Sequence, residues 1–445
     1  MRGFSFKYKT FVILIAGLLW LSTSAVCNAA TTGKYWRHTH KSKPRQRLKV
    51  NVLGYGAKGD GESDDTKAFQ AAWGDACKSE ASMMIVPLGY KFLVGPTSFS
   101  GSNCHKNITF KLDGTILAPT NSKAWGAGVD QWLEFTNLVG FKIKGKGTLD
   151  GRGSVWWTDS FRDFKQVSGP MDGKKQRSRP TALMIVGGAK MTVTGITIQN
   201  SPQFHLTFDN CDGVLVHHIS ISSPGDSPNT DGIHLRNTKN VIIHHTNLAC
   251  GDDCISIQTG CTNVLIHDVH CGPGHGISIG SLGIDGTTGC VSNITVRNIK
   301  LHNTMTGVRI KTWQGAKGMV RGVSFSNIEV SKVEVPIMIN QYYCDHSFCE
   351  NRSAAVSIAN ISYENIKGSY TVQPLHLSCS DSKPCMNLNL SDIELKPKPN
   401  GHQMAEPFCW QAFGELNAPI IPEIDCLQEE HTSKRWGHHD AKCAA

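Results

Sequence analysis

The chain has 445 residues, 40% of them hydrophobic and 18% charged, so a large buried core is possible and two or three compact domains would be ordinary. Its 44 glycines point to many turns and argue against an architecture of long helices. A formal charge of +9 excludes little, because nucleic acid, anionic membranes and acidic polysaccharides are all drawn to a basic surface.

At the N-terminus, Arg2, Lys7 and Lys9 precede the apolar run FVILIAGLLWL, which leads into the small residues of STSAVCNAA. This order predicts a secretory signal peptide over residues 1–30, cut between about Cys27 and Thr31. The run is shorter than the ~20 residues a membrane span needs, and no later segment is apolar enough to span a bilayer, so the mature protein is expected to be soluble. Residues 31–49, basic and Pro-containing, are expected to form a flexible lead-in. VNVLGYGAKGDGESDDTKAFQAAWGDAC then opens as a strand and turns helical around Thr66 to Cys77. A helix there would cap the open apolar end of a repeat array.

From about residue 180 a pattern recurs: KMTVTGITIQNS, GVLVHHISISSP, NVIIHHTNLAC, NVLIHDVHCGP, NITVRNIKLHN, GVSFSNIEVSK, NISYENIKGSY and NLNLSDIELKP. The matching positions Met191, Val214, Val241, Val264, Ile294, Val323, Ile361 and Leu388 are mostly roughly 23 to 30 residues apart, a solenoid period. Each unit alternates apolar and polar residues, as a strand with one face inward does, and Gly, Pro, Asn and Asp turns separate the units. The expectation is all-β: a single right-handed parallel β-helix over 50–430, with 431–445 as a tail. A sandwich would need hairpin turns every 8–12 residues, and a propeller blades of about 40–50.

Loss of the signal would remove one of 16 cysteines, Cys27, leaving an odd number in an oxidising compartment. The odd count leaves one free thiol or an intermolecular bond, with Cys443, close to the C-terminus, the expected leftover. Zinc is a weaker reading because no CxxC pair recurs. Sequons stand at Asn107, Asn293, Asn351, Asn360 and Asn389.

Four polar clusters carry the chemistry: NTDGIH (Asn229 to His234), GDDC (Gly251 to Cys254), GHG (Gly274 to Gly276) and RIK (Arg309 to Lys311). Asp231 and Asp252 are 21 residues apart, and Asp252 and His275 are 23 apart, each close to one coil. Rungs lie ~4.8 Å apart, so these side chains should stack along the axis. The 34 residues from His275 to Arg309 require a loop to bulge out, with SLGIDGTTG the candidate. Taken singly, Asp231 could form an Asx turn, Asp252 and Asp253 could cap a corner, and His275 could be structural. Arg309 and Lys311 could simply be solvated on a strand. Three acids within two rungs repel one another unless cations or function compensate, and that strain marks a site.

In this order the four motifs resemble the set found in polygalacturonases, pectin-hydrolysing glycosidases built on a parallel β-helix. The resemblance runs from about Val50 to Cys385, and VNVLGYGAKGDG and LDGRGSVWW resemble the plant members. It implies a secreted cell-wall enzyme that hydrolyses α-1,4-galacturonosyl bonds by acid/base catalysis with inversion. Asp252 would be the general acid, Asp231 and Asp253 would activate water, His275 would support the acid's protonation, and Asn229 would help hold the site. Arg309 and Lys311 would bind substrate carboxylates, and Tyr343 in QYYCD would contact substrate. Also implied are the pairings Cys77–Cys104, Cys254–Cys271, Cys344–Cys349 and Cys379–Cys385.

No cofactor and no metal are expected. The expected partner is an acidic polysaccharide, not nucleic acid and not a membrane once the signal is removed, and the protein should be a monomer. No long insertion flanks NTDGIH or RIK, so endo action is expected, with exo release from chain ends as the alternative. A pectate lyase would need calcium and a basic Arg environment. An inactive pectin-binding wall protein would gain nothing from three acids in a groove that receives an anion.

Overall fold

Apolar residues at every second position stack in register along the whole of the solenoid. The structure is a computed structural model and describes residues 47–125, 129–157, 179–344, 352–398, 404–429 and 443. Within these residues the strands form a 19-stranded and an 11-stranded sheet, and the pairings within both are parallel. The eight positions matched by sequence are consecutive register partners, from Met191 opposite Val214 through to Ile361 opposite Leu388. A second buried ladder runs Val193, Val216, Ile243, Ile266, Val296, Phe325, Tyr363 and Leu390. Parallel pairing needs a crossover between partners, and here each coil of the solenoid supplies it. This is the parallel β-helix expected.

The first rungs are closed by the helix Thr66–Cys77, whose Ala68, Phe69, Ala72, Trp73 and Ala76 are buried. These positions repeat at i, i+4 and i+8, one helical face. Trp73 lies edge-on to Phe99, Phe135 and Phe141 at 5.3–5.8 Å between ring centroids, and its indole N–H donates to Ser100 O. Asp65, just ahead of the helix, is buried and accepts the backbone N–H groups of Lys58 and Gly59. The strand Lys49–Asn51 already pairs with Met83–Ile85, so ordered structure begins within the expected lead-in. The expected signal peptide lies outside the described residues, as does the tail apart from Cys443.

The cysteines differ in part from expectation. Cys77–Cys104, Cys254–Cys271 and Cys379–Cys385 are bonded. Cys344 is also disulfide-bonded, but Cys349 lies outside the described residues. Cys443 is not the leftover thiol: it bonds Cys290, and Cys409 bonds Cys426. Among the described residues the free thiols are Cys211, Cys250 and Cys261, all buried. They pack as small apolar side chains, a role that an odd cysteine count cannot locate. Of the sequons, Asn293, Asn360 and Asn389 are exposed and take part in asparagine ladders between rungs. Asn293 and Asn107 spend their amide N–H on Asn263 and Glu80, and Asn351 lies outside the described residues.

Candidate active site

The strands Ile233–Arg236, Ile255–Ile257, Ile277–Leu282 and Thr306–Trp313 are successive neighbours in the smaller sheet. Ile233, Ile255 and Ile277 are register partners, so the residues two places before them, Asp231, Asp253 and His275, hold equivalent places on three rungs. Asp252 stands one residue ahead of that column. The loop between His275 and Arg309 bulges as expected, through a single turn at Ile284–Gly286. Glycine is required where the rungs touch. A Cβ on Gly251 would collide with the Ser227 carbonyl, and one on Gly276, at φ +85°, with the carbonyls of Thr306 and Gly307.

The three carboxylates have different surroundings. Asp253 is buried, and both of its oxygens are engaged. Arg309 donates to Oδ1 at 2.6 Å, the Ser278 hydroxyl to the same oxygen at 2.7 Å, and Lys311 to Oδ2 at 3.0 Å. Burial alone would push this carboxyl up, but Lys311, Arg309 and Ser278 together outweigh it and hold it at about 2. Asp231 is also buried, with His234 Nδ1 2.9 Å from Oδ2. Burial pushes it up to about 6, helped by the charges of Asp252 and Asp253 and opposed by His234. The Asp252 side chain is the accessible one, 21% exposed against 2% for Asp253. Its Oδ1 lies 2.9 Å from His275 Nδ1, and its backbone carbonyl accepts the His275 N–H at 2.7 Å.

Arg309 and Lys311 are not the solvated strand residues that isolated cations would be. Both are buried, and both reach back to Asp253. Burial works against the Lys311 charge, but Asp253, Tyr343 and Asp252 together outweigh it and raise its affinity for the proton. The Lys311 ammonium also sits 5.3 Å from the ring centre of Tyr343, which packs edge-on against Trp313. Asn229 adopts a left-handed φ of 57° and is half-buried, and the neighbouring Thr230 hydroxyl accepts the Gly251 N–H, fastening NTDGIH to GDDC. The predicted catalytic and substrate-binding residues therefore lie along five successive rungs, Tyr343 being on the strand Val335–Tyr343 that pairs with Thr306–Trp313.

Sequence reasoning missed three supporting residues. Ser278 links Asp253 to Arg309, whose Nε–H donates to the hydroxyl at 3.0 Å. His234 stands against Asp231 and stacks on Phe204 at 4.3 Å. His205, fully buried, touches the Asp231 carbonyl at 2.8 Å and the Ser223 hydroxyl at 2.7 Å, and burial drives its imidazole down to about 4. His234 could have been read from NTDGIH itself, and Ser278 from its place two residues past GHG on the site face. His205 lies in a separate coil and carries no such signal.

A parallel β-helix with clustered carboxylates on one groove is the architecture of an enzyme that cleaves glycans. The chain belongs to the glycosyl hydrolases family 28, whose family model matches residues 77–407. It is 45% identical over 391 residues to a polygalacturonase of Cryptomeria japonica, covering 87% of this chain and 74% of that protein. To a probable polygalacturonase of Arabidopsis thaliana it is 38% identical over 433 residues, 96% of this chain and 95% of that one. Among solved structures, the polygalacturonase of Erwinia carotovora superposes with a TM-score of 0.65 at 25% identity, covering 82% of this chain and 98% of that one.

Proposed function

We propose that the protein is an extracellular polygalacturonase that hydrolyses α-1,4-galacturonosyl bonds of pectin, acting within the chain and with inversion. The observation that carries this reading is the unequal surroundings of three carboxylates on adjoining rungs: Asp231 and Asp253 are buried, and Asp252 is accessible beside His275. Glycoside hydrolysis needs one carboxyl group protonated and another ionised. Asp253, with two cations on it, stays ionised through the acid range, while burial, helped by the charges of Asp252 and Asp253, lets Asp231 keep its proton up to about pH 6. Asp252, the most accessible of the three and steadied by His275, is placed to pass a proton to the glycosidic oxygen. Asp231 and Asp253 orient the water, and the ionised Asp253 takes its proton as its oxygen bonds to C1 and the C1–O bond breaks. Asp253 uses three of its roughly four acceptor sites on protein donors, which leaves one for that water.

Arg309 and Lys311 then have two tasks. They keep Asp253 charged, and their remaining donors serve the carboxylate that every galacturonate unit carries. Tyr343 walls the Lys311 side of the groove. The relatives named polygalacturonase support the substrate class, and the absence of a long insertion beside NTDGIH or RIK supports endo action.

Digestion of polygalacturonate by the purified protein tests the reading. New reducing ends should appear without the ultraviolet absorbance of an unsaturated uronide, and a calcium chelator should leave the rate unchanged. Absorbance rising in step with cleavage would mean elimination. Viscosity should collapse while few bonds are cut, whereas release of monomer alone would mean exo action.

A further inference from the structure

A second cluster of titratable side chains lies on the larger sheet, and no step of the hydrolysis uses it. The dipeptides His217-His218, His244-His245 and His267-Asp268 hold equivalent places on three rungs, because His217 pairs with His244 and His244 with His267. The first members stack face to face, with centroids 5.1 and 5.0 Å apart and ring planes within 4°. The second members all adopt left-handed backbone, at φ 53°, 51° and 54°, and each side chain meets that of the residue before it. Nδ1 of His217 lies 2.8 Å from Nδ1 of His218, and Nδ1 of His244 lies 2.7 Å from Nδ1 of His245. On the third rung, Nδ1 of His267 lies 2.6 Å from Asp268 Oδ2. Two ring nitrogens this close share a single proton, so each histidine pair offers at least one lone pair.

The spacing within the pairs is that of a hydrogen bond, and it also suits one coordination geometry. Nitrogens bound at about 2.0 Å to one ion lie roughly 2.8 Å apart at a right angle and roughly 3.3 Å apart at a tetrahedral angle. An ion that displaced the shared proton would meet the pairs at the right-angle separation, the arrangement of tetragonal nitrogen and oxygen sites that suit copper(II) or nickel(II). Ligand atoms of His245, His267 and Asp268 all lie within 4.8 Å of one another. An open recess of about 420 Å³ gives access past His245, Asp268 and His270. Arg297, the register partner of His267 on the following rung, ends the imidazole stack.

We propose that these rungs form a tetragonal site for a divalent transition-metal ion of the copper(II) class, held by His245, His267 and Asp268 with His244 alongside. Among the described residues the other close grouping of possible ligands, Asp252, Asp253 and His275, is a poor competitor, since Arg309 and Lys311 already neutralise Asp253.

Titration of the untagged full chain with copper(II) sulfate in a non-coordinating buffer tests this, read by calorimetry and electron paramagnetic resonance. One ion per chain should bind, with an axial spectrum split by nitrogen. His245→Ala and His267→Ala should each weaken binding at least ~10-fold, since even outer-shell partners commonly cost 10–100-fold. Both metal-free variants should keep wild-type activity on polygalacturonate, and His245→Gln, closer in size, should repeat the binding loss with an unchanged melting temperature. The proposal is overturned if the variants bind copper like the wild type, which would move the ion elsewhere, for example to His438-His439. It is equally overturned if the spectrum shows no nitrogen, or if the folded Asp252→Asn variant loses binding.

Discussion

Asp252 and Asp253 are adjacent in sequence and opposite in circumstance, so their amides should fail differently. Asp252→Asn keeps its shape and its hydrogen bonds but has no proton to give; kcat should fall ~10²–10⁴-fold with the melting temperature nearly unchanged. Asp253→Asn strips the counter-charge from two buried cations, a kind of change that costs about 3–5 kcal/mol, so both turnover and melting temperature should drop. Equal stability loss in the two variants would defeat this assignment. Lys311→Met should move the acidic limb of the pH–rate profile upwards, because Lys311 is among the groups that hold Asp253 down at about 2. An unmoved limb would remove Lys311 from that task. The GDDC motif makes both acids visible in sequence. It cannot show which one is buried, nor that RIK, 56 and 58 residues further on, folds back onto the second. Pairing across two rungs is a property of the coil, and alternation along a single strand does not report it.

Within an element, inward and outward positions differ more than residue type suggests. Ile266 is fully buried in the ladder between Ile243 and Val296, whereas Ile242, one strand back, is 40% exposed. Ile266→Ala should cost about 2–5 kcal/mol and Ile242→Ala within about 0.5 kcal/mol, measured by denaturant unfolding. Similar losses at both positions would contradict the assigned facing. This part of the fold was legible, because alternation with a steady period fixes both strand and register. The histidine dipeptides were in plain view too, in VHHIS, IHHTN and IHDVH. Their pairing was not, since it depends on left-handed turns that bring consecutive side chains together. The thiols show the same limit: Cys290 and Cys443 meet only because the chain returns across 153 residues.

For the whole molecule, the buried acids set opposing pH dependences. Asp253 has a folded value of about 2 against an ordinary 3.8, so its stabilisation is full above about pH 4 and lost as pH falls towards 2. Asp231, raised from 3.8 to about 6, favours the folded state most in acid, and that contribution fades as pH rises through 6. Both contributions are largely intact near pH 4. Asp231→Asn should therefore raise the melting temperature at pH 7 and change it little at pH 4; an equal shift at both values would exclude this origin.

The Cys290–Cys443 bond changes how the molecule would bear a load. Each rung of a solenoid grips only its neighbours, so a chain pulled from its end should peel away coil by coil at low force. Here tension arriving through Cys443 passes across the disulfide to Cys290, in the strand Thr288–His302. The later coils between these two cysteines sit inside a covalent loop and are shielded from the pull. Such a clasp would let the coils beyond the catalytic groove keep their shape when the enzyme is dragged against a stiff, cross-linked matrix, and reduction would return them to the line of force.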